Sequence, residues 1–203
     1  MVKVELFCDT RERAIQDSIN AEFTKPPTFA KTRGIMICSV KQVAVGDYMV
    51  SVDDAVVAVF ERKTLKDYGA SFKDNRHANK AKLLNARNIS NCQIYYIIEG
   101  PLNPDYETEY AGIKYKNILA SIHDLMIKDG IFIIRTQDGQ HTARELRMFC
   151  ESQIRQATNR IAEAKKNPIN TEASIIDEKM DSYSKLSQEL KDKIASGTLT
   201  SDE

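Results

Sequence analysis

The residues best placed to do chemistry lie in one stretch. Gly46-Asp47 is followed by thirteen residues from Tyr48 to Phe60, then Glu61-Arg62-Lys63 and, three residues on, Asp67. Tyr48–Val52 and Ala55–Phe60 read as two strands, and Asp53-Asp54 between them reads as a two-residue hairpin connection. A turn there sets residue 47 opposite residue 60, within one position of register, so Asp47 lies beside the Glu61 end of the second strand. Residues two apart on a strand share a face, so Glu61 and Lys63 project together and Arg62 projects the other way. Two carboxylates and an ammonium then occupy one small space. Carboxylates this close repel unless a cation sits between them. Hard oxygen donors suit Mg²⁺ or Mn²⁺ rather than zinc. Such an ion polarises phosphoryl oxygens, and Lys63 can orient water or balance charge on the phosphate. The chemistry expected is metal-dependent phosphodiester hydrolysis.

The elements that must hold these residues follow from the rest of the pattern. Val2–Cys8 reads as a strand ending in the charged run Asp9 to Arg13, with a short helix over 11–19 and a loop at Pro26-Pro27. Ile35–Val40, Ile94–Ile98 and Ile131–Ile134 read as buried strands. Helical patterns cover 71–87, 113–128 and 142–165, and 101–112 reads as a loop. Strands interleaved with helices around a hairpin predict an α/β three-layer core, a mixed central β-sheet flanked by helices, over residues 1–166. Residues 167–180 read as a linker and 181–203 as a short acidic helical segment that could begin a truncated module.

Composition agrees with a globular chain: 203 residues, 42% hydrophobic and 29% charged, with Lys+Arg and Asp+Glu both 29. Zero net charge excludes a wholly basic binder but not a local patch. Residues 61–87 carry eight Lys/Arg against three acids. The apolar runs are too short to span a bilayer and the N-terminus has no signal-peptide core, so an intracellular chain is expected. Cys8, Cys38, Cys92 and Cys150 show no zinc spacing; Cys8, Cys38 and Cys150 read as small buried thiols.

The spacing of Gly46-Asp47, Glu61-Arg62-Lys63 and Asp67 resembles the signature of the XPF-type nucleases (xeroderma pigmentosum group F, with the related Mus and Hef enzymes). Asp9-x-Arg11-Glu12, Glu99-Gly100, and Ser71, Asp74 and Arg76 fit further parts of that pattern, although Asn75 stands where a glycine is usual. The likeness covers residues 2–160. It implies a restriction-endonuclease-like core that cuts branched (flap or fork) DNA in repair, recombination or replication, using Mg²⁺ or Mn²⁺. It implies Asp47 and Glu61 as metal ligands with Asp9 as a further acid at the metal, Lys63 as the water-orienting lysine, and Arg62 and Asp67 in the same catalytic cluster. Arg11, Lys66, Ser71, Lys73, Arg76 and Lys80 would face branched or nicked duplex DNA. Such nucleases usually work as homo- or heterodimers, in nuclei or, for large DNA viruses, in the host nucleus or a cytoplasmic replication site. The apolar faces of the 113–128 and 142–165 helices could supply a dimer interface or finish the cover of the sheet. The helix-hairpin-helix modules usual in the family are not visible.

Two rival functions fit the same residues. One is a metal-dependent phosphodiesterase acting on a cyclic dinucleotide; the other is a non-catalytic scaffold that binds DNA. His77, His123 and His141 read as surface residues, Tyr48 as core or support for the site, and Tyr68 and Phe72 as packing beneath a helix.

Overall fold

The computed structural model describes residues 1–28, 34–72 and 76–166, the side chains of 76–78 excepted. Two units divide the chain, 1–158 and 159–203; only the end of a helix represents the second among the described residues. Lys73, Asp74, Asn75, the side chains of Arg76 and His77, the 167–180 linker and the 181–203 segment lie outside them.

In chain order the elements are β1 (Val2–Cys8), α1 (Arg13–Phe23), β2 (Gly34–Val40), β3 (Tyr48–Val52), β4 (Ala55–Thr64), α2 (Leu65–Ala70), α3 (Arg76–Ser90), β5 (Gln93–Glu99), β6 (Glu109–Tyr110), β7 (Ile113–Lys114), α4 (Tyr115–Asp129), β8 (Phe132–Thr136) and α5 (Gly139–Lys166). Six strands form one sheet in the order β2-β1-β3-β4-β5-β8. The β1–β3 and β3–β4 pairs are antiparallel and the other three are parallel, so the sheet is mixed. β6 and β7 form a separate two-stranded ribbon inside the stretch expected to be loop.

Alternation along the strands builds two cores. Val4, Leu6, Tyr48, Val50, Ala58 and Phe60 pack on one face with Ile15 and Ile19 of α1 and Leu146, Cys150 and Ile154 of α5. Phe60 stacks on Tyr95 at 4.8 Å between ring centres, and Phe149 of α5 meets it edge-on at 5.0 Å. On the other face Val59, Ile94, Tyr96 and Ile98 pack with Leu65 and Tyr68 of α2, Leu83 of α3 and Ile118, Ile122 and Leu125 of α4. This is the expected three-layer α/β core. The apolar faces of α4 and α5 are used to cover the sheet.

Two strands expected to be buried are edge strands. β2 turns Met36 and Cys38 toward the α5 side, while Ile35 and Ile37 are exposed. β8 begins at Phe132, which is half-exposed. An edge strand has a neighbour on one side only, so a continuous apolar run does not guarantee two covered faces. α1 starts two residues later than expected, α5 three earlier, and the short α2 fills a stretch where no helix was expected. α4 stops at Gly130 in the left-handed conformation, as Asp129-Gly130 suggested.

The hairpin turns at Asp53 and Asp54, both at positive φ (46° and 67°), the mirror-image turn that matches strand twist. Asp53 Oδ1 accepts from the Lys3 N–H at 2.8 Å, pinning the turn to β1. Near the turn Val52 faces Ala55 and Ser51 faces Val56; beyond a bulge at Val57, Val50 faces Ala58 and Tyr48 faces Phe60. The extra residue shifts the pairing by one position. Continued outward, the ladder sets Asp47 against Glu61 rather than Phe60.

Candidate active site at the end of β4

Asp47 precedes β3 in a loop that the backbone ties down from two sides. Its N–H donates to the Phe60 carbonyl at 2.8 Å, and its own carbonyl accepts from the Asp9 N–H at 2.9 Å. Gly46 makes this approach possible: it sits at φ +76°, and a Cβ there would lie 2.7 Å from the Phe60 carbonyl oxygen and 2.7 Å from Val59 Cγ1. The Gly-Asp pair is therefore a steric requirement for bringing the carboxylate against the strand end. The Arg62 N–H donates to Asp47 Oδ2 at 2.8 Å.

Glu61 and Lys63 share the face of β4 that α3 covers. Glu61 is buried, and its Oε1 accepts from Lys63 Nζ at 2.7 Å and from Asn79 Nδ2 of α3 at 2.7 Å. Asp47 and Glu61 line one cleft of about 250 Å³ with Arg11, Ala44, Val45, Gly46, Asn79 and Lys82. Burial, then the charge of Glu61, pushes the Asp47 carboxyl up to about 7, against the Arg62 N–H and Lys63. Asp47 Oδ1 and Glu61 Oε2 have no recorded protein partner among the described residues.

Arg62 lies on the opposite face, as strand alternation requires. Its Nε and Nη2 donate to the two oxygens of Glu99 at 2.9 and 2.7 Å, and its Nη1 donates to Glu12 Oε2 at 3.1 Å. The buried Tyr48 hydroxyl donates to the same Glu12 oxygen at 2.7 Å, and Thr142 Oγ1 of α5 donates to Glu99 Oε2 at 2.9 Å. Burial works to lower the Arg62 pKa, and the hydrogen bonds and charge of Glu99, with Glu12, more than reverse it. Tyr48 is thus both core and support.

Asp9 is fully buried at the end of β1 and saturated with donors. Oδ1 accepts from the Arg11 N–H at 2.8 Å and from Arg11 Nε at 2.7 Å; Oδ2 accepts from the Val43 N–H at 2.8 Å and Arg11 Nη2 at 3.2 Å. The Arg11 side chain, opposed by burial, and the backbone N–H groups of Arg11 and Val43 hold this carboxyl at about 2. In this arrangement Asp9 clamps the 41–47 loop and aims Arg11, and its lone pairs are already committed.

The remaining expected residues scatter. Asp67 is exposed in the first turn of α2 and bonded to its cap, Thr64: the Asp67 N–H donates to Thr64 Oγ1 at 3.1 Å, and that hydroxyl donates to Asp67 Oδ2 at 2.6 Å. Ser71 Oγ donates to the Tyr68 carbonyl at 2.6 Å. Lys66 is exposed. Lys80 reaches away from the cleft to Asp129 at the end of α4, 2.8 Å from Nζ to Oδ2. Arg11 lies in the cleft with 70% of its side chain exposed. Asn79 was missed by sequence reasoning because nothing in the pattern ties a lone Asn to Glu61. Lys82, the next residue on that helical face, lines the cleft, whereas Lys80 does not. The joint hold of Glu12 and Glu99 on Arg62 was also missed, although side-chain parity puts Glu99 on the Arg62 side. His123 is exposed, and His141 Nδ1 accepts from the Gln137 N–H at 3.2 Å. Cys8 and Cys150 are buried as expected, whereas Cys38, on the edge strand β2, is only half-buried; burial raises the thiols of Cys8 and Cys38, to about 12 and about 11.

No group of three or more His, Cys, Asp or Glu side chains converges among the described residues. The Asp47–Glu61 pair nevertheless fits a hard divalent cation. It offers only oxygen donors, carries more negative charge than Lys63 balances, and among the described residues leaves one oxygen of each carboxylate uncommitted. Mg²⁺ commonly takes one or two carboxylates and fills its shell with water and phosphate oxygens.

Comparisons with known proteins place the family and the fold. An ERCC4 domain model matches residues 8–149. The ERCC4 domain-containing protein EP364R of African swine fever virus (strain Badajoz 1971 Vero-adapted) is 32% identical over 145 residues, 70% of this chain and 39% of the viral protein. Its counterpart in isolate Pig/Kenya/KEN-50/1950 is 36% identical over 108 residues, 53% of this chain and 30% of that protein. The chain thus spans about two fifths or less of the length of these relatives. Among solved structures, XPF from Aeropyrum pernix superposes with a TM-score of 0.52 at 24% identity, covering 76% of this chain and 61% of that one. The fold is that of the XPF nuclease domain, and the chain belongs to the ERCC4-domain family.

Proposed function

We propose that this chain is a Mg²⁺- or Mn²⁺-dependent endonuclease that hydrolyses phosphodiester bonds in branched DNA. The observation that carries this reading is the Asp47–Glu61 pair, which lines one cleft at a strand end with Lys63 bonded to Glu61. Asp47 and Glu61 would hold the ion. Bound there, it supplies Lewis-acid stabilisation of charge on the phosphoryl group, worth several kcal/mol.

The chain's own residues do the rest. The Arg62 N–H and the Phe60 carbonyl fix Asp47, and Asn79 and Lys63 fix Glu61, so the carboxylates are set before substrate arrives. Lys63 places an ammonium where negative charge grows on a phosphate. Arg11, steered by Asp9, and Lys82 present positive charge at the cleft wall to the phosphates on either side.

End-labelled splayed-arm, 3′-flap and plain duplex DNA, each with Mg²⁺, Mn²⁺ or EDTA, test the reading. Metal-dependent nicking near the junction, lost in Asp47→Asn, is the expected result. Nicking that survives Asp47→Asn, or that ignores EDTA, overturns the assignment.

A further inference from the structure

A second cavity adjoins the cleft. It has a volume of about 340 Å³ and is lined by Val43, Ala44, Val45, Met49, Val56, Val59 and Ala86, with Lys41, Gln42 and Ser90 at its polar positions. Ala44 and Val45 belong to both spaces. α3 runs along both as well: Asn79 and Lys82 face the charged cleft and Ala86 and Ser90 the apolar cavity, one stripe at helical spacing. From Asn79 to Ala86 the helix rises about 10 Å at roughly 1.5 Å per residue. One loop and one helix stripe therefore lead from a site for phosphate to a site for an apolar body, across a distance that a single nucleotide's sugar and base can span.

We propose that this cavity is a nucleobase subsite, taking the unstacked base of the nucleotide next to the phosphate held at Asp47 and Glu61. The proposal deepens the nuclease reading and rests on it for the placement of the phosphate. Several observations favour a base over another occupant. The cavity shares the Ala44-Val45 wall with the charged cleft. Its walls are aliphatic, with the polarizable thioether of Met49 among them, which suits the face of a flat heterocycle. Lys41, Gln42 and Ser90 supply donors and acceptors for the base's edge. A base can enter only when it is not paired and stacked in a duplex, so the subsite favours cutting beside a single-stranded segment. It gives junction preference a physical origin within the described residues.

The test uses splayed-arm DNA with one 2-aminopurine placed in turn at each position around the junction, mixed with the full chain in Ca²⁺. One position is expected to change fluorescence on binding. Ala86→Leu, which fills the cavity, and Ser90→Leu, at the exposed rim where folding is not at risk, should remove that signal and weaken binding about tenfold. With an abasic residue at that position, all three proteins should bind alike. A signal that neither substitution alters, or a tenfold loss that persists on the abasic strand, overturns the subsite. Parallel reactions in Mg²⁺ or Mn²⁺ separate the two claims. The fluorescence pattern without cleavage keeps the subsite and sinks the nuclease reading, cleavage without the pattern does the reverse, and no DNA binding at all sinks both.

Discussion

The two faces of β4 hold nearly the same charges and use them in opposite ways. On the α1/α5 side Arg62 stands between Glu12 and Glu99; on the α3 side Lys63 stands beside Glu61, with Asp47 across the strand end. Each set has two carboxylates and one cation. The difference is hydrogen-bond closure, and it lies between Glu99 and Asp47. Glu99 has both oxygens bonded, by the Arg62 fork and Thr142, whereas Asp47 takes only the Arg62 N–H on its carboxylate among the described residues and is pushed up to about 7. Glu12 and Glu61 are alike, each taking two donors on one oxygen. The comparison teaches that charge count alone does not separate the two clusters. Completed hydrogen bonds do, because an unsatisfied carboxylate retains its demand for a cation.

The sharpest way to break this contrast is at its open end. Asp47→Asn is expected to lower metal-dependent cleavage by about a thousandfold or more, since an interaction of several kcal/mol is lost and each 1.36 kcal/mol is tenfold. The same variant should not destabilise the metal-free fold. The sign follows from linkage. The folded pKa of about 7 lies above the unfolded value, so the folded state binds more protons and wild type loses stability as pH rises from about 4 to about 7. Urea unfolding in EDTA should show Asp47→Asn gaining on wild type across that window. A variant equally active, or less stable than wild type at pH 8, contradicts the contrast.

The closed face predicts the reverse. Arg62→Ala strands two partly buried carboxylates and should cost about 3 to 5 kcal/mol by urea unfolding. Glu61→Gln, on the open face, should cost little stability while abolishing activity. Equal stability losses in the two variants would erase the distinction between the faces.

Gly46→Ala tests the link that joins the faces to the 41–47 loop. Left-handed φ and a Cβ driven onto the Phe60 carbonyl together cost about 3 kcal/mol. Because the strain is relieved by moving Asp47, activity should fall with stability, and thermal melting together with cleavage reads both. A variant as stable as wild type would show that the loop can move without cost.

Much of this was legible in the sequence, for definite reasons. Strand alternation placed Arg62 opposite Glu61 and Lys63, and the turn at Asp53-Asp54 brought Asp47 to the strand end. The bulge at Val57, which sets the register that matters, has no glycine or proline to announce it. The roles of Asp67 and Lys80 were not legible, because a motif position does not say whether a side chain points into a cleft, bonds a helix cap or reaches a distant Asp129. Asn79 and the cavity along Ala86 became visible only once α3 was laid against the hairpin. Burial of β2 and β8 was overestimated because an apolar run carries no information about which strand lies at an edge.

The smallest effect concerns Asp9, which lies near the open face yet is closed like the other. Its folded carboxyl is held at about 2, below its unfolded value, so its contribution is present above about pH 4 and is lost as pH falls toward 2. At about 1.4 kcal/mol per unit, that contribution is about 2 kcal/mol. Asp9→Asn should therefore be less stable than wild type by about this amount at pH 6, and the gap should close on acidification to pH 2.5. Asp47→Asn should show the opposite sign over its own, higher window. If both variants shifted in the same direction with pH, hydrogen-bond closure would not be what separates these two aspartates, which sit only a loop apart.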